Sequence, residues 1–206
     1  MDQVALLAKI AAGNGQVAQY LGSSCSQYRA SGTSAVITVG NLIGSLPAYL
    51  VPSEKLQEHP EWIGMFDTTA TLQGDYLVVP EGTIYFIAAQ VPFTPLLCIQ
   101  TNATVGLSRP IGVSAINGGG YSGVSATTSE VLLAGWPASL AASGKAKQGE
   151  TPNDDGLSAW VVLMPPLPLV PLVGDIVGDD IGRSFVVTAA ERTSLGWQLH
   201  TKQASS

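Results

Sequence analysis

The residues of this sequence that could do acid–base chemistry are few and scattered. The two histidines, His59 and His200, stand in no recognisable motif, and we interpret both as solvated or packed side chains rather than general bases. No G-x-S-x-G, H-E-x-x-H, P-loop or strand-linked GxGxxG pattern occurs in the chain. The sequence therefore predicts no enzyme activity and no cofactor.

Acidic residues near the end of the chain could supply oxygen ligands to calcium. Asp175, Asp179 and Asp180, joined by Asp154 and Asp155, form this group. Their spacing differs from the D-x-D-x-D-G pattern of a calcium loop. We therefore interpret the Asp179–Asp180 region as a turn, and we predict no metal site.

Two further kinds of chemistry are weaker alternatives. The stretch VPLVGDIV resembles the Gly-Asp hairpin of self-cleaving repressor-type serine peptidases, with Lys145 or Lys147 as the lysine of a Ser/Lys dyad. Both lysines lie in a polar stretch where nothing would lower their pKa, and no serine has a nucleophile context. A carbohydrate-binding module would use tryptophans as stacking platforms, but we expect them to be core residues; they are Trp62, Trp136, Trp160 and Trp197.

Charge and cysteine content exclude several classes of protein. Only 12% of the 206 residues are charged, the net charge is −6, and the basic residues form no stripe, so we expect no direct sequence-specific nucleic-acid binding. Cys25 and Cys98 are interpreted as buried free thiols rather than a disulfide. The apolar run at 161–173 contains four prolines and is too short for a transmembrane helix, so we expect no membrane association.

The first residues predict a helical segment. Val4, Leu7 and Ala11 fall at helical spacing, Asp2 can cap the start, and Gly22 is a plausible end. Because Gly13-Asn14-Gly15 interrupts the pattern, we expect two short helices or one broken helix. The rest of the chain, rich in Val, Ile, Thr, Gly and Pro, predicts strands and turns.

A repeated phrase gives the strongest indication of fold. GDYLVVPEGTIYFIAAQ at 74–90 and GDIVGDDIGRSFVVTAAE, which starts at Gly174, match without a gap one hundred residues apart. Each copy predicts a hairpin followed by a third strand. The match extends weakly to Leu97/Trp197 and Ile99/Leu199.

These patterns predict a mainly β fold with two repeated barrel-like or sandwich-like units after a short N-terminal helical segment. We place the helical segment and a loop at 1–34, the first β unit at 35–142, a polar linker at 143–156 and the second unit at 157–206. The two units could share one domain. Within the first unit we expect a turn at Trp136-Pro137.

The order of short motifs resembles small structural proteins of tailed-bacteriophage virions. These motifs are AQYLG, LQGDYLVVPEGTIYFIAAQ, LSRP, WPASL and GDIVGDDIGRSFVVTAAERTSLGWQLHTKQ. The Gly-Asp phrase also resembles the barrel strands of phage head-to-tail joining proteins. The resemblance implies a virion component at the head–tail connector or in the tail, made in the host cytoplasm and assembled as a symmetric ring. A capsid decoration or tail-tip protein is the alternative within the same class.

The partners implied are copies of the chain itself and the portal, adaptor or tail subunits. Composition predicts subunit contacts in three stretches, the Gly-rich loop 117–123, the polar linker 143–156 and the Pro-rich arm 164–173. The candidate contact residues of the loop and the arm are Gly118, Gly119, Gly120, Tyr121, Pro165, Pro166, Leu167, Pro168 and Leu169.

Overall fold

The computed structural model describes residues 2–53, 60–111, 129–142 and 159–203. Within these ranges the chain forms one helix and two closed barrels of six strands each. The mainly β prediction with two repeated units is confirmed, and both units are barrels. In the described part, no helix has the length and apolar character needed to cross a membrane.

The helix α1 (Gln3–Leu21) is continuous, so the predicted break is wrong. Its predicted ends are confirmed: the Asp2 carboxylate accepts a hydrogen bond from the Val4 amide at 3.1 Å, and Gly22 is the C-terminal cap. Gly15 lies on the buried face, where a Cβ atom would stand only 3.3 Å from the Asp67 side chain. The glycine that suggested a break instead lets the helix approach the barrel closely, and this packing offsets its low helix propensity.

The first barrel follows the helix, and its strands lie in the order β1-β2-β3-β6-β5-β4, with β4 pairing back onto β1. Every neighbouring pair is antiparallel. Its strands are β1 (Ser23–Tyr28), β2 (Leu42–Pro52), β3 (Glu61–Met65), β4 (Tyr76–Val78), β5 (Ile84–Ala89) and β6 (Leu96–Gln100).

The second barrel has the same topology, in the order β7-β8-β9-β12-β11-β10 with β10 pairing onto β7. Its strands are β7 (Ala103–Pro110), β8 (Ser129–Ala142), β9 (Ala159–Met164), β10 (Ile176–Asp179), β11 (Ser184–Thr193) and β12 (Gly196–Gln203). The strand order therefore makes β1 to β6 of the first barrel equivalent, in sequence order, to β7 to β12 of the second. The repeat covers the whole barrel rather than only the three strands that the sequence indicated.

The register corrects the sequence match in the last strand. Ala89 pairs with Leu97, eight positions on, whereas Ala189 pairs with His200, eleven positions on. The second hairpin is thus three residues longer, and Leu97 corresponds to His200 rather than to Trp197. A β-bulge falls at the same place in both copies, between Ile87 and Ala89 and between Val187 and Ala189.

The boundaries of the two barrels in the sequence differ from the predicted unit boundaries. Strand β1 belongs to the first barrel rather than to the N-terminal segment, and β7 and β8 close the second barrel rather than the first. Only residues 101–102 separate β6 from β7. The stretch 143–156 lies outside the described residues, but its flanking strands pair, with Ala142 opposite Trp160. The stretch 143–156 therefore connects two strands of the same barrel and is not a linker between the two units. Its polar composition suggested a linker because surface loops and linkers are both polar.

The predicted turn at Trp136-Pro137 is a strand with a bulge. β8 runs through both residues, and the register shifts where Val105 faces Trp136 and Leu107 faces Leu133. Gly135 supplies the positive φ of 69° that this irregularity needs. A Cβ atom there would lie 2.7 Å from the Ala35 side chain, so glycine also permits contact with the β1–β2 connection.

The two barrels share a hydrophobic core. On the outer face of β4, β5 and β6, Tyr76, Phe86, Ala88 and Ile99 are buried, and they join the interior of the second barrel in one cluster. The Tyr76 ring packs edge-on against Trp136 at 6.5 Å, and its hydroxyl donates a hydrogen bond to the Pro137 carbonyl at 2.8 Å. These contacts fix the barrels to each other through buried groups from both.

Candidate functional site

The histidines and acidic residues form no catalytic constellation in the described ranges. His200 lies on β12, and its ring nitrogen Nε2 is 3.3 Å from the side-chain nitrogen Nε2 of Gln198. His59, Asp154, Asp155, Lys145 and Lys147 lie outside the described residues. Within the described ranges, no three His, Cys, Asp or Glu side chains are grouped so as to hold a metal ion.

Two of the five aspartates considered as calcium ligands instead bind arginines. Asp175 pairs with Arg109, and Asp179 pairs with Arg183. The turn interpretation of Asp179 is confirmed, because its Oδ1 accepts hydrogen bonds from the amides of Ile181 and Arg183. Desolvation raises the pKa of Asp179, but hydrogen bonds and charge from Arg183 outweigh it and hold this pKa below its usual value.

In each barrel a buried aspartate just before the fourth strand is bound by an arginine at the end of the first strand, and we call this arrangement the clasp. Asp75 is 1% exposed and precedes β4, while Arg29 follows β1. The Arg29 Nε and Nη2 atoms each lie 2.7 Å from a carboxylate oxygen of Asp75. The amide of Leu72 donates to the same carboxylate at 2.9 Å. The bidentate pair thereby bridges the seam where β1 and β4 close the barrel.

The second clasp repeats the arginine and backbone contacts of the first. Arg109 Nε and Nη2 lie 2.8 and 2.9 Å from the two oxygens of Asp175, and the Leu172 amide donates to Oδ2 at 2.8 Å. In both copies the arginine also reaches a backbone carbonyl, that of Ala70 or Val170. Hydrogen bonding to the aspartate raises the pKa of both arginines. The clasp is therefore a structural element of the repeated unit.

Glycines make the turn of each clasp possible. Gly74 and Gly174 have φ values of 94° and 91°, a region that other residues rarely adopt. The amides of these glycines donate to the carbonyls of Ile87 and Val187. The Gly-Asp pair that the sequence singled out as a turn thus positions the buried carboxylate.

The clasp arginines are the residues that sequence reasoning missed. Arg29 and Arg109 stand in the short motifs YRA and SRP, each at the end of the first strand of its barrel. The only signal was an arginine at the end of the first strand in each copy. The number of residues between this arginine and the aspartate differs between the copies, so the ungapped repeat did not include the arginines.

The cysteines are free and buried, as predicted. Both thiols lie inside the first barrel and are fully shielded from solvent. Desolvation raises the pKa of Cys25 to about 11 and that of Cys98 to about 12. Both thiols are therefore protonated at neutral pH and are weak nucleophiles.

Two of the four tryptophans are core residues, as expected. Trp136 is 1% exposed and Trp197 is 8% exposed. Trp62 and Trp160 are half-buried and occupy equivalent positions near one end of each barrel. Trp62 on β3 pairs with Cys98 on β6, and Trp160 on β9 pairs with the equivalent residue of β12, Thr201.

The N-terminal half of α1 presents apolar side chains to solvent. The stripe that packs on the barrel through Ala11, Gly15 and Ala18 continues past the barrel edge to Val4, which is 72% exposed. An open groove of about 210 Å³ runs between this part of the helix and the β5–β6 connection. Leu7 and Ile10 line one side of the groove, and Val91 and Phe93 line the other.

The predicted contact residues fall into two groups. Gly118, Gly119, Gly120 and Tyr121 lie outside the described residues. In the Pro-rich arm, Pro165 is buried, Pro166 is half-buried near Gly74, and Leu167 and Leu169 pack on the shared core. Pro168 is exposed, and the arm continues into three exposed apolar residues, Val170, Leu172 and Val173. Their role in subunit contacts stays a prediction.

Comparison with protein-family models, with curated proteins and with solved structures finds no match for this chain.

The two clasps make a matched pair for mutagenesis. Replacing either arginine by methionine keeps the apolar stem but leaves a buried carboxylate without its cation. Asp75 retains a second side-chain donor, Gln27 Nε2 at 2.7 Å, whereas the equivalent position in the second barrel is Leu107. We therefore expect both substitutions to lower the free energy of unfolding, and Arg109→Met to lower it more than Arg29→Met. Urea unfolding followed by tryptophan fluorescence measures both. Equal effects, or none, would contradict the assigned roles.

Proposed function

We propose that this chain is a structural subunit of a tailed-bacteriophage virion, at the head–tail connector or in the tail. It assembles with copies of itself in a symmetric ring and contacts portal, adaptor or tail subunits. The proposal rests on the resemblance of its ordered motifs to phage virion proteins. It also rests on one feature of the fold, the uncovered apolar half of α1.

The exposed half of α1 leaves apolar side chains in contact with water in an isolated molecule, which is unfavourable. Val4, Leu6 and Ile10 are 72%, 37% and 38% exposed, and Lys9 is the one charged side chain between Gln3 and Ile10. A helix end without packing is only marginally stable in water, and apolar surface of this kind marks an interaction site. A neighbouring protein that covered this half would stabilise the helix and bury its side chains.

A second apolar surface lies on the second barrel. Val170, Leu172 and Val173 of the Pro-rich arm are 61%, 48% and 70% exposed. A ring requires two different surfaces on each subunit that fit each other, because its contacts are heterologous. We assign α1 to one side of the contact and the 170–173 segment of the next copy to the other.

The groove beside α1 supports an assembly role for this end of the molecule. Phe93 is 50% exposed, and it is the only non-glycine residue in the described ranges with a positive φ, at 64°. Backbone strain of about 1 kcal/mol or more at an exposed aromatic residue is typical of binding surfaces. Phe93, with this backbone conformation, lines the groove beside α1.

Quantitative mass spectrometry of purified virions tests the virion role directly. A ring predicts roughly six to twelve copies per particle. Hundreds of copies would favour a capsid decoration protein instead. Absence from the particle would contradict the proposal and favour the peptidase or carbohydrate-binding alternatives.

Self-association through α1 has its own test. We expect Val4→Glu combined with Ile10→Glu to weaken self-association at least tenfold, because two charges would be buried in the contact. Glutamate is compatible with the helix, and at position 4 it also lies near the positive end of the helix dipole, so the helix itself should persist. Light scattering after size-exclusion chromatography over a range of concentrations measures the assembly. Ile181→Glu, at a turn position that is 71% exposed, is the matched control. A wild-type chain that stays monomeric at every concentration would argue against α1 as a self-contact.

A further inference from the structure

Both barrels have an edge-on aromatic pair at the same end. In the first barrel Trp62 and Tyr85 have ring centroids 5.3 Å apart at 72°, and in the second Trp160 and Phe185 are 5.6 Å apart at 61°. The strand registers make the pairs equivalent: Trp62 faces Cys98 as Trp160 faces Thr201. Likewise, Tyr85 faces Gln100 as Phe185 faces Gln203.

In the second barrel a guanidinium group covers this pair. The Cζ atom of Arg183 lies 4.8 Å from the centre of the Trp160 ring and 5.4 Å from that of Phe185. Asp179 holds the guanidinium in place, with Nε and Oδ2 2.7 Å apart. Both rings thus present electron-rich surface to a cation that a carboxylate neutralises.

The first barrel has the same hairpin without this cation. The Val79 amide donates a hydrogen bond to the Thr83 carbonyl at 3.0 Å, and the Asp179 amide donates one to the Arg183 carbonyl at the same distance. Val79 is therefore equivalent to Asp179, and Thr83 to Arg183. A pocket of about 320 Å³ occupies this end of the barrel. Its lining includes Trp62, Tyr85, Val79 and Thr83, with the end of α1 on the far side.

The pocket also has a negative charge at its edge. Glu81 contributes to the lining, and it forms no ion pair with any other described residue. Its charge acts on the interior: desolvation is the main reason that the pKa values of Cys25 and Tyr85 are raised, and the carboxylate of Glu81 raises both further. The pocket therefore combines aromatic rings with an acidic group, as the second barrel does.

We propose that the open end of the first barrel binds an arginine side chain of a partner protein, in the position that Arg183 occupies in the second barrel. Trp62 and Tyr85 would contact the guanidinium plane, and Glu81 would supply the charge that Asp179 supplies in the other copy. A planar guanidinium suits this site better than an ammonium because it stacks on rings while its N–H groups bind a carboxylate. The inference rests on the comparison of the two barrels and does not depend on the virion role.

The peptide acetyl-Gly-Arg-Gly-amide is a suitable probe. Titrated into ¹⁵N-labelled protein, it should shift the indole N–H signal of Trp62, assigned with Trp62→Phe, with a dissociation constant on the order of 1–10 mM. The same peptide with citrulline, which has the shape of arginine but no charge, should bind at least tenfold more weakly. Glu81→Gln should weaken binding of the arginine peptide about fivefold, and Glu191→Gln, an exposed site on β11, should leave it unchanged.

Grafting the second barrel's cation onto the first gives an independent test. Val79→Asp combined with Thr83→Arg should fill the pocket from within the chain, raise the melting temperature by a few degrees and abolish the Trp62 response to the peptide. An unchanged Trp62 response in this folded variant would overturn the proposal. Equal binding of the arginine and citrulline peptides to the wild-type protein, or no Trp62 shift at roughly 50 mM peptide, would overturn it without any variant.

Discussion

In each barrel a carboxylate at the seam between the first and fourth strands leaves water when the barrel closes. Asp75 and Asp175 are both 1% exposed, and an unpaired charge in that position would cost several kcal/mol. Their arginine partners come from the end of the barrel's first strand, and a backbone donor comes from the turn before the fourth. Because β1 and β4, or β7 and β10, must lie side by side before these groups meet, the carboxylate is satisfied only in the closed barrel. The clasp thus links the buried charge to the topology.

The two copies differ in ways that give the molecule distinct ends. The outer face that receives the second barrel is buried and apolar, with Tyr76, Phe86 and Ile99. Its equivalents on the second barrel are Ile176, Val186 and Lys202, of which Val186 is 36% exposed and Lys202 is charged. This face of the second barrel is therefore less apolar than the face of the first barrel that packs in the shared core. The helix covers one part of the first barrel alone.

The sequence predicted what local rules control. The caps of α1, the hairpins after Gly74 and Gly174 and the free thiols all follow from residue type and short spacing. The first half of each repeat was not found, although Trp62 matches Trp160 and the Leu-Pro-Ala of β2 matches the Trp-Pro-Ala of β8. Loops of different length shift the spacing from strand to strand, and an ungapped comparison cannot follow such shifts.

The candidate sites were hidden for a related reason. Glu81 and Trp62 are distant in sequence, and their importance appears only when Thr83 is compared with Arg183 at the same place in the other barrel. Val4 is exposed because α1 extends past the edge of the barrel that it packs on. The apolar spacing of α1 predicts which side chains share a face, but it does not predict how far along the helix that face is covered. Both features arise from packing between elements that the sequence places far apart.

Native-state hydrogen exchange at two backbone amides tests the role of the clasp most directly. The amides of Leu72 and Leu172 lie in turns whose side chains are 56% and 48% exposed, yet each donates to a buried aspartate. If the clasp holds the barrel closed, both amides exchange only through global unfolding, at least a thousandfold more slowly than an unstructured amide. Exchange of either amide as fast as that of an ordinary surface turn would show that the clasp opens while the barrel stays folded, and would contradict the account.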